Sequence, residues 1–163
     1  SSMYTLKKSL GQHFLKDENI CRRIIRYLPV EPGTNLLEIG PGAGALTKYL
    51  LQLPGVHFKA IEIDEEKVNY LLHTFPDIKG KIIHDNILRC RQPFEEPFTV
   101  VGNFPYNISS QILFRILEWK SQVNTMVGMF QKEVALRIAA SNHSKEYGIL
   151  SVLIQSWYDV EYL

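Results

Sequence analysis

The chain has 163 residues, a length that favours one domain. Hydrophobic residues make up 45% and charged residues 21%, which excludes disordered and collagen-like classes, and no run approaches the ~18 apolar residues of a membrane span. Lys and Arg exceed Asp and Glu by a net +1, so global charge does not announce a nucleic-acid binder. The first element lies in a basic stretch. Residues 4–26 carry Lys7, Lys8, Lys16, Arg22, Arg23 and Arg26 against Asp17 and Glu18, a local excess of +4. A solvated helix face explains such a run; the sharper reading is an arm whose Lys7, Lys8, Arg22 and Arg23 contact phosphates. Asp17 can cap a helix over Glu18–Leu28, which Pro29 ends. Asn35–Ile39 reads as a buried strand, followed by the glycine cluster Gly40, Gly42 and Gly44. Leu46, Tyr49, Leu50 and Leu53 recur at helical spacing up to Pro54-Gly55. His57–Ile63 is a second strand, Glu65–His73 a short helix and Lys81–His84 a third strand. Phe98–Val101 is a fourth strand, Ser109–Trp119 a helix, Thr125–Phe130 a fifth strand and Lys132–Ala140 a helix. Tyr147-Gly148 opens a further helix with Ile149, Val152, Leu153 and Trp157 on one stripe, and a last strand begins near Asp159.

Such alternation predicts an α/β fold, a mostly parallel sheet with helices on both faces, whose ligands sit at the carboxyl ends of the strands. Cys21 and Cys90 are too few for a disulfide scaffold or a zinc cluster and read as thiols of a reducing cytosol. Five histidines show no ligand spacing, so no metal is expected. Ser1-Ser2-Met3 lacks the apolar stretch of a signal peptide and reads as an expression scar before Met3, which points to the cytoplasm and away from a membrane. The chain stops within a strand-like alternating run, Tyr158–Leu163, the pattern expected of a domain cut inside its last strands.

Gly40-Pro41-Gly42-Ala43-Gly44 joins the first strand to its helix, where glycines let backbone approach a ligand and the helix start offers free N–H groups. Gly40-x-Gly42-x-x-Ala45 also fits a relaxed dinucleotide fingerprint, and a merely structural turn explains it as well. Glu62 ends the second strand, 22 residues after Gly40, where an acid can accept both ribose hydroxyls. Asp85, at the end of the third strand, can accept from an adenine amino group. Together the three strand ends describe an adenosine-bearing cofactor, either NAD or S-adenosylmethionine (SAM).

Asn103-Phe104-Pro105-Tyr106 separates the two. Asn103 offers an amide oxygen that accepts from an amine. Pro105 holds an extended backbone that can turn carbonyls toward a ligand, and Tyr106 supplies a face for a base, worth ~1–3 kcal/mol. An exocyclic amine held by two acceptors over an aromatic floor suits methyl transfer to adenine N6, with the Asn103 oxygen and the Phe104 carbonyl as acceptors.

Gly11-Gln12-His13-Phe14-Leu15, Glu38-Ile39-Gly40-Pro41-Gly42, Ile61-Glu62-Ile63-Asp64, Gly102–Ser109 and Gln131–Ala135 resemble the ribosomal RNA adenine dimethyltransferases, most closely the bacterial KsgA (RsmA) type, with the Erm resistance enzymes as cousins. The resemblance runs in order over nearly all of residues 6–163. It implies a Rossmann-like SAM-dependent methyltransferase fold and an enzyme forming N6,N6-dimethyladenine at two adjacent adenines near the 3′ end of small-subunit (16S) rRNA. The partner it implies is the immature 30S subunit, met by a monomer. Carried over by position, His13 and Leu15 contact the cofactor, Gly40 lies beside its methionine part, Glu62 holds the ribose and Asp85 meets the adenine. Gly42, Ile63 and Asn86 complete that set; Asn103 lies where cofactor and target base meet, with Phe104, Pro105 and Tyr106 beside it. Two positions depart from the family's usual residues: His13 stands for Asn, and Phe104 stands for Leu. The family's proline-rich segment and small helical RNA-binding domain have no counterpart in this chain. Three rivals share features with this reading: a nicotinamide oxidoreductase, a DNA adenine methyltransferase, and a non-catalytic SAM- and RNA-binding assembly or transcription factor.

Overall fold

A computed structural model describes residues 18–104, 109–119, 121–129, 150–153 and 160–161. Seven strands form one sheet in the order β3-β2-β1-β4-β5-β6-β7. They are β1 (Asn35–Ile39), β2 (His57–Glu62), β3 (Ile82–His84), β4 (Phe98–Asn103), β5 (Val123–Met129), β6 (Leu150–Leu153) and β7 (Val160–Glu161). All neighbours pair in parallel except β7, which runs antiparallel on β6. The described helices are α1 (Glu18–Tyr27), α2 (Thr47–Leu50), α3 (Glu65–Thr74) and α4 (Ser109–Glu118), with a 3-10 turn at Pro76–Ile78.

The two faces of the sheet carry separate cores because side chains alternate along a strand. Leu37, Ile39, Ile61, Phe98 and Val100 face one way and pack with Ile112, Ile116 and Trp119 of the α4 segment. Leu36, Ala60, Val101 and Val127 face the other way, under Ile20, Cys21, Ile24 and Leu28 of the α1 segment, Leu50 of α2 and Leu71 of α3. Both sides of β1 are therefore covered, which is why Leu36–Ile39 reads as a continuous buried run. Local signals set the helix starts and stops. The Asp64 side chain accepts the Glu66 N–H at 2.9 Å and caps α3. Pro29 follows α1 within two residues.

Most predicted elements are present within a residue or two of their expected bounds. Two differ. The helix over Leu46–Leu53 is only one regular turn, Thr47–Leu50, followed by turns to Gly55. The helix expected from Tyr147 is instead strand β6, Leu150–Leu153. Ile149–Ile154 is a short apolar run, and periodicity alone does not distinguish helix from buried strand over so few residues. In the sheet this run pairs with the edge of β5 opposite β4 through Val127↔Leu150 and Gly128↔Ser151. The Lys132–Ala140 helix lies outside the described residues. Cys21 and Cys90 are both buried and neither forms a disulfide. No described helix is long and apolar enough to cross a membrane.

Candidate functional site

Register brings the functional residues to one edge of the sheet. Ile39 of β1 pairs with Ile61 on one side and Gly102 on the other, and Glu62 pairs with His84. Gly40, Glu62, Asn103 and Asp85 therefore leave four adjacent strands at neighbouring points. The order of the strands reverses between β1 and β4, where open α/β sheets form their ligand crevice. Backbone bonds lock the ends together: the Gly40 N–H donates to the Ile61 carbonyl at 2.9 Å, and the Asp85 N–H to the Glu62 carbonyl at 3.1 Å.

Left-handed backbone explains the first two loop glycines. Gly40 has φ +66 and Gly42 φ +59, and among the described residues a Cβ would meet nothing within 4 Å at Gly40 and only a carbonyl at 4.0 Å at Gly42. The loop is thus open on its outer side. Gly44 has another reason: a Cβ there would run into the Phe75 ring beyond α3.

Glu62 is only 6% exposed. One carboxylate oxygen accepts the Gly42 N–H at 3.1 Å and the other the Asp64 N–H at 3.0 Å. A single side chain therefore ties the loop after β1 to the turn after β2. An ionised carboxylate has about four acceptor positions, so capacity for two ligand hydroxyls remains. Beside it Ile63 stands 60% exposed, a large apolar surface open to solvent. The Ile63 carbonyl lies 3.1 Å from His84 Nε2, which ties His84 to the turn after β2.

Asp85 is exposed, and its carboxylate accepts the Asn86 N–H at 2.7 Å; the Asn86 side-chain oxygen accepts the Leu88 N–H at 2.9 Å. These contacts wind residues 85–88 into a turn. Arg115 of α4 anchors the turn from behind. Its Nε donates to the Ile87 carbonyl at 3.2 Å, a terminal nitrogen donates to the Cys90 carbonyl, and the guanidinium stacks 4.5 Å from the centre of the Trp119 ring.

Asn103 ends β4 with its backbone paired to Met129. Phe104 follows, and its ring is 3% exposed. The ring lies over Gly102 and Gly128, which pair across β4 and β5; a Cβ on Gly128 would collide with it. The large ring is therefore accommodated by two side-chain-free positions. His13, Leu15, Pro105 and Tyr106 lie outside the described residues, as do Lys7 and Lys8.

Glu38 and Thr47 are the site residues that the sequence reading passed over. Glu38 stands in β1 on the face of Leu36, 3% exposed, and the buried Thr47 hydroxyl donates to it at 2.6 Å. Burial pushes its carboxyl up to about 8; the Thr47 hydrogen bond opposes that rise and the charge of Glu62 adds to it. The available signal was an acid inside an otherwise apolar buried strand, a position that requires a partner.

Among the described residues these groups fit an adenosine cofactor: a carboxylate with spare acceptor capacity, an exposed apolar side chain, a second acid and an open glycine loop. The charge favours a cationic group. Glu62 and Asp85 are acids, and no Lys or Arg is hydrogen-bonded to either in the described structure. A sulfonium suits those surroundings better than a pyrophosphate. No group of three or more metal-ligating side chains occurs among the described residues.

The chain is similar to known proteins along nearly its whole length. The family model described as "Ribosomal RNA adenine dimethylase" matches residues 3–163. The ribosomal RNA small subunit methyltransferase A of Parabacteroides distasonis is 53% identical over 159 residues, 96% of this chain and 59% of that protein. Its Flavobacterium johnsoniae counterpart is 54% identical over 160 residues, 96% of this chain and 61% of that protein. The chain thus spans about three-fifths of the length of these relatives. Among solved structures, a dimethyladenosine transferase from Plasmodium falciparum superposes with a TM-score of 0.67 at 28% identity, covering 83% of this chain and 50% of that one. The 23S rRNA methyltransferase ErmE gives a TM-score of 0.62 at 30% identity, covering 75% of this chain and 49% of that one. With a Rossmann-like sheet, a strand-end cleft and a family match over nearly its whole length, this chain belongs to the ribosomal RNA adenine dimethylase family.

Proposed function

We propose that the chain is the catalytic domain of a SAM-dependent methyltransferase that forms N6,N6-dimethyladenine at two adjacent adenines near the 3′ end of small-subunit rRNA. Its substrate is the rRNA of the immature small ribosomal subunit, met by a monomer in the cytoplasm. The observation that carries this reading is the register that places Gly40, Glu62, Asp85 and Asn103 at four neighbouring strand ends. SAM supplies a methyl group already activated by its sulfonium. The protein then has to align donor and acceptor, which is catalysis by proximity and orientation.

Each residue has a defined part in that alignment. The unused acceptor positions of Glu62 take the ribose hydroxyls, and Gly42, held by the same carboxylate, sets the loop at the right height. The open backbone at Gly40 lies beside the methionine part. Asp85 and Asn86 meet the adenine edge, Ile63 covers its face, and His13 and Leu15 close the cofactor from the N-terminal run. On the substrate side the Asn103 amide oxygen and the Phe104 carbonyl accept the two N6 protons, which directs the nitrogen lone pair at the methyl. Tyr106, after Pro105, stacks on the target base, which leaves its helix or is already unpaired. No strong general base is needed, because the methylated ammonium loses its proton readily. Methyl transfer to small-subunit rRNA by the full-length protein tests the reading. Asn103→Ala should reduce kcat by 100-fold or more; full activity in that variant would contradict it.

A further inference from the structure

The buried residues Ile20, Cys21 and Ile24 occupy one face of α1, so Arg22 and Arg26, four positions apart, stand exposed on the other. α2 lies alongside, joined by an ion pair of 2.6 Å between Glu18 and Lys48. Between the helices runs a groove of about 640 Å³ lined by Asn19, Arg22, Arg23, Ile25, Arg26 and Tyr49. That size falls within the ~300–1,000 Å³ of small-molecule sites. Three arginine side chains and no acidic residue line it, along a wall that is mostly apolar, and the nearby acid Glu18 is engaged by Lys48. Neither Arg22 nor Arg26 has an ion-pair partner among the described residues. Guanidinium forks match phosphate oxygens in pairs, and four residues of helix set Arg22 and Arg26 ~6 Å apart along the axis, about one phosphate-to-phosphate step of a nucleic-acid strand. Tyr49, partly packed against the core and with Lys48 Nζ 5.2 Å from its ring centre, adds an aromatic ring, the second component of single-strand binding sites. The groove shares no strand-end residue with the cleft.

We propose that this groove binds a single-stranded segment of RNA distinct from the target adenine, with Arg22 and Arg26 on successive phosphates and Tyr49 stacked on a base. The proposal rests on the rRNA-substrate reading and extends it to a second contact surface. Lys7 and Lys8, expected to share in phosphate contact, lie outside the described residues, and Arg26 and Tyr49 enter from the geometry instead.

Fluorescence anisotropy with a labelled oligouridylate tests it, because that RNA has no adenine for the target pocket. The full-length protein is titrated at several KCl concentrations. Replacing both arginines, Arg22→Gln with Arg26→Gln, should weaken binding ~10-fold or more at low salt. The slope of log K against log[salt] should become shallower by about 1.4, since each single-strand phosphate contributes ~0.7. Tyr49→Leu should weaken binding ~5-fold or more and leave the slope unchanged. Thermal midpoints and SAM affinity should match the parent, which separates lost contact from lost fold; the arginine pair, being exposed, stays decisive should Tyr49→Leu unfold. An unchanged slope in the arginine variant overturns the proposal. So does polyglutamate that displaces the RNA with the same sensitivity to these substitutions, which would indicate an acidic protein partner. If the groove fails while Asn103→Ala abolishes rRNA methylation, the groove alone is wrong; if Asn103→Ala stays fully active, the functional reading itself fails.

Discussion

Glu38→Gln isolates the energetic cost of the acid beneath the glycine loop. Burial holds the Glu38 carboxyl at about 8 against an ordinary 4.5. The folded chain therefore keeps a proton that the unfolded chain releases, and stability falls as pH rises between those two values. The contribution is fully present below about pH 4.5 and is lost by about pH 8. The gap sets a ceiling of roughly 5 kcal/mol at ~1.4 kcal/mol for each tenfold change, and roughly 3 kcal/mol of it falls between pH 5 and pH 8. Glutamine preserves the shape and can still accept from the Thr47 hydroxyl, but it does not ionise. Urea denaturation of both proteins from pH 5 to pH 8 reads the effect as a difference, in which all other titrating groups cancel. Glu38→Gln should gain on the parent by a few kcal/mol across that range and be the more stable protein at pH 8. A difference that stays flat with pH would refute the reasoning, because Glu38 would then ionise alike in folded and unfolded chains.

The packing of Phe104 makes a second prediction. Gly128→Ala should cost ~1–3 kcal/mol by forcing a methyl into the ring, and Phe104→Leu in the same chain should recover most of it; additive losses in a double-mutant cycle would contradict the contact. Arg115→Met should lower stability by ~1–3 kcal/mol, because the Ile87 and Cys90 carbonyls lose their donor. It should also weaken SAM binding through the turn that carries Asp85; calorimetry and thermal denaturation on the one variant check both effects.

Much of this arrangement was legible in the residues. Strand–helix alternation and the position of Glu62 and Asp85 at strand ends gave the parallel sheet and its cleft, because buried parallel strands read as apolar runs that stop where the ligand edge begins. Leu150–Leu153 was misread as helix, since a short apolar run carries no period long enough to separate the two states. The link from Glu62 to the Gly42 N–H, the Thr47–Glu38 pair and the hold of Arg115 on residues 87–90 were not legible. Each joins residues distant in the chain, and neither spacing nor composition encodes which loop will lie over which strand end. Phe104 shows the same limit within one motif: its backbone place follows from the sequence, while the reason its ring is tolerated lies at Gly128 on the next strand.

Calorimetric titration of SAM into the parent chain and into Glu62→Ala, with NAD as control, tests the central claim most directly. Loss of two charge-assisted hydrogen bonds, at ~1.5–3 kcal/mol each, should raise the Kd for SAM by about 100-fold or more in the variant, and NAD should bind neither protein. Equal SAM affinity in the two proteins, or NAD binding as tight as SAM, would contradict a strand-end cleft built around Glu62 for an adenosine-bearing methyl donor.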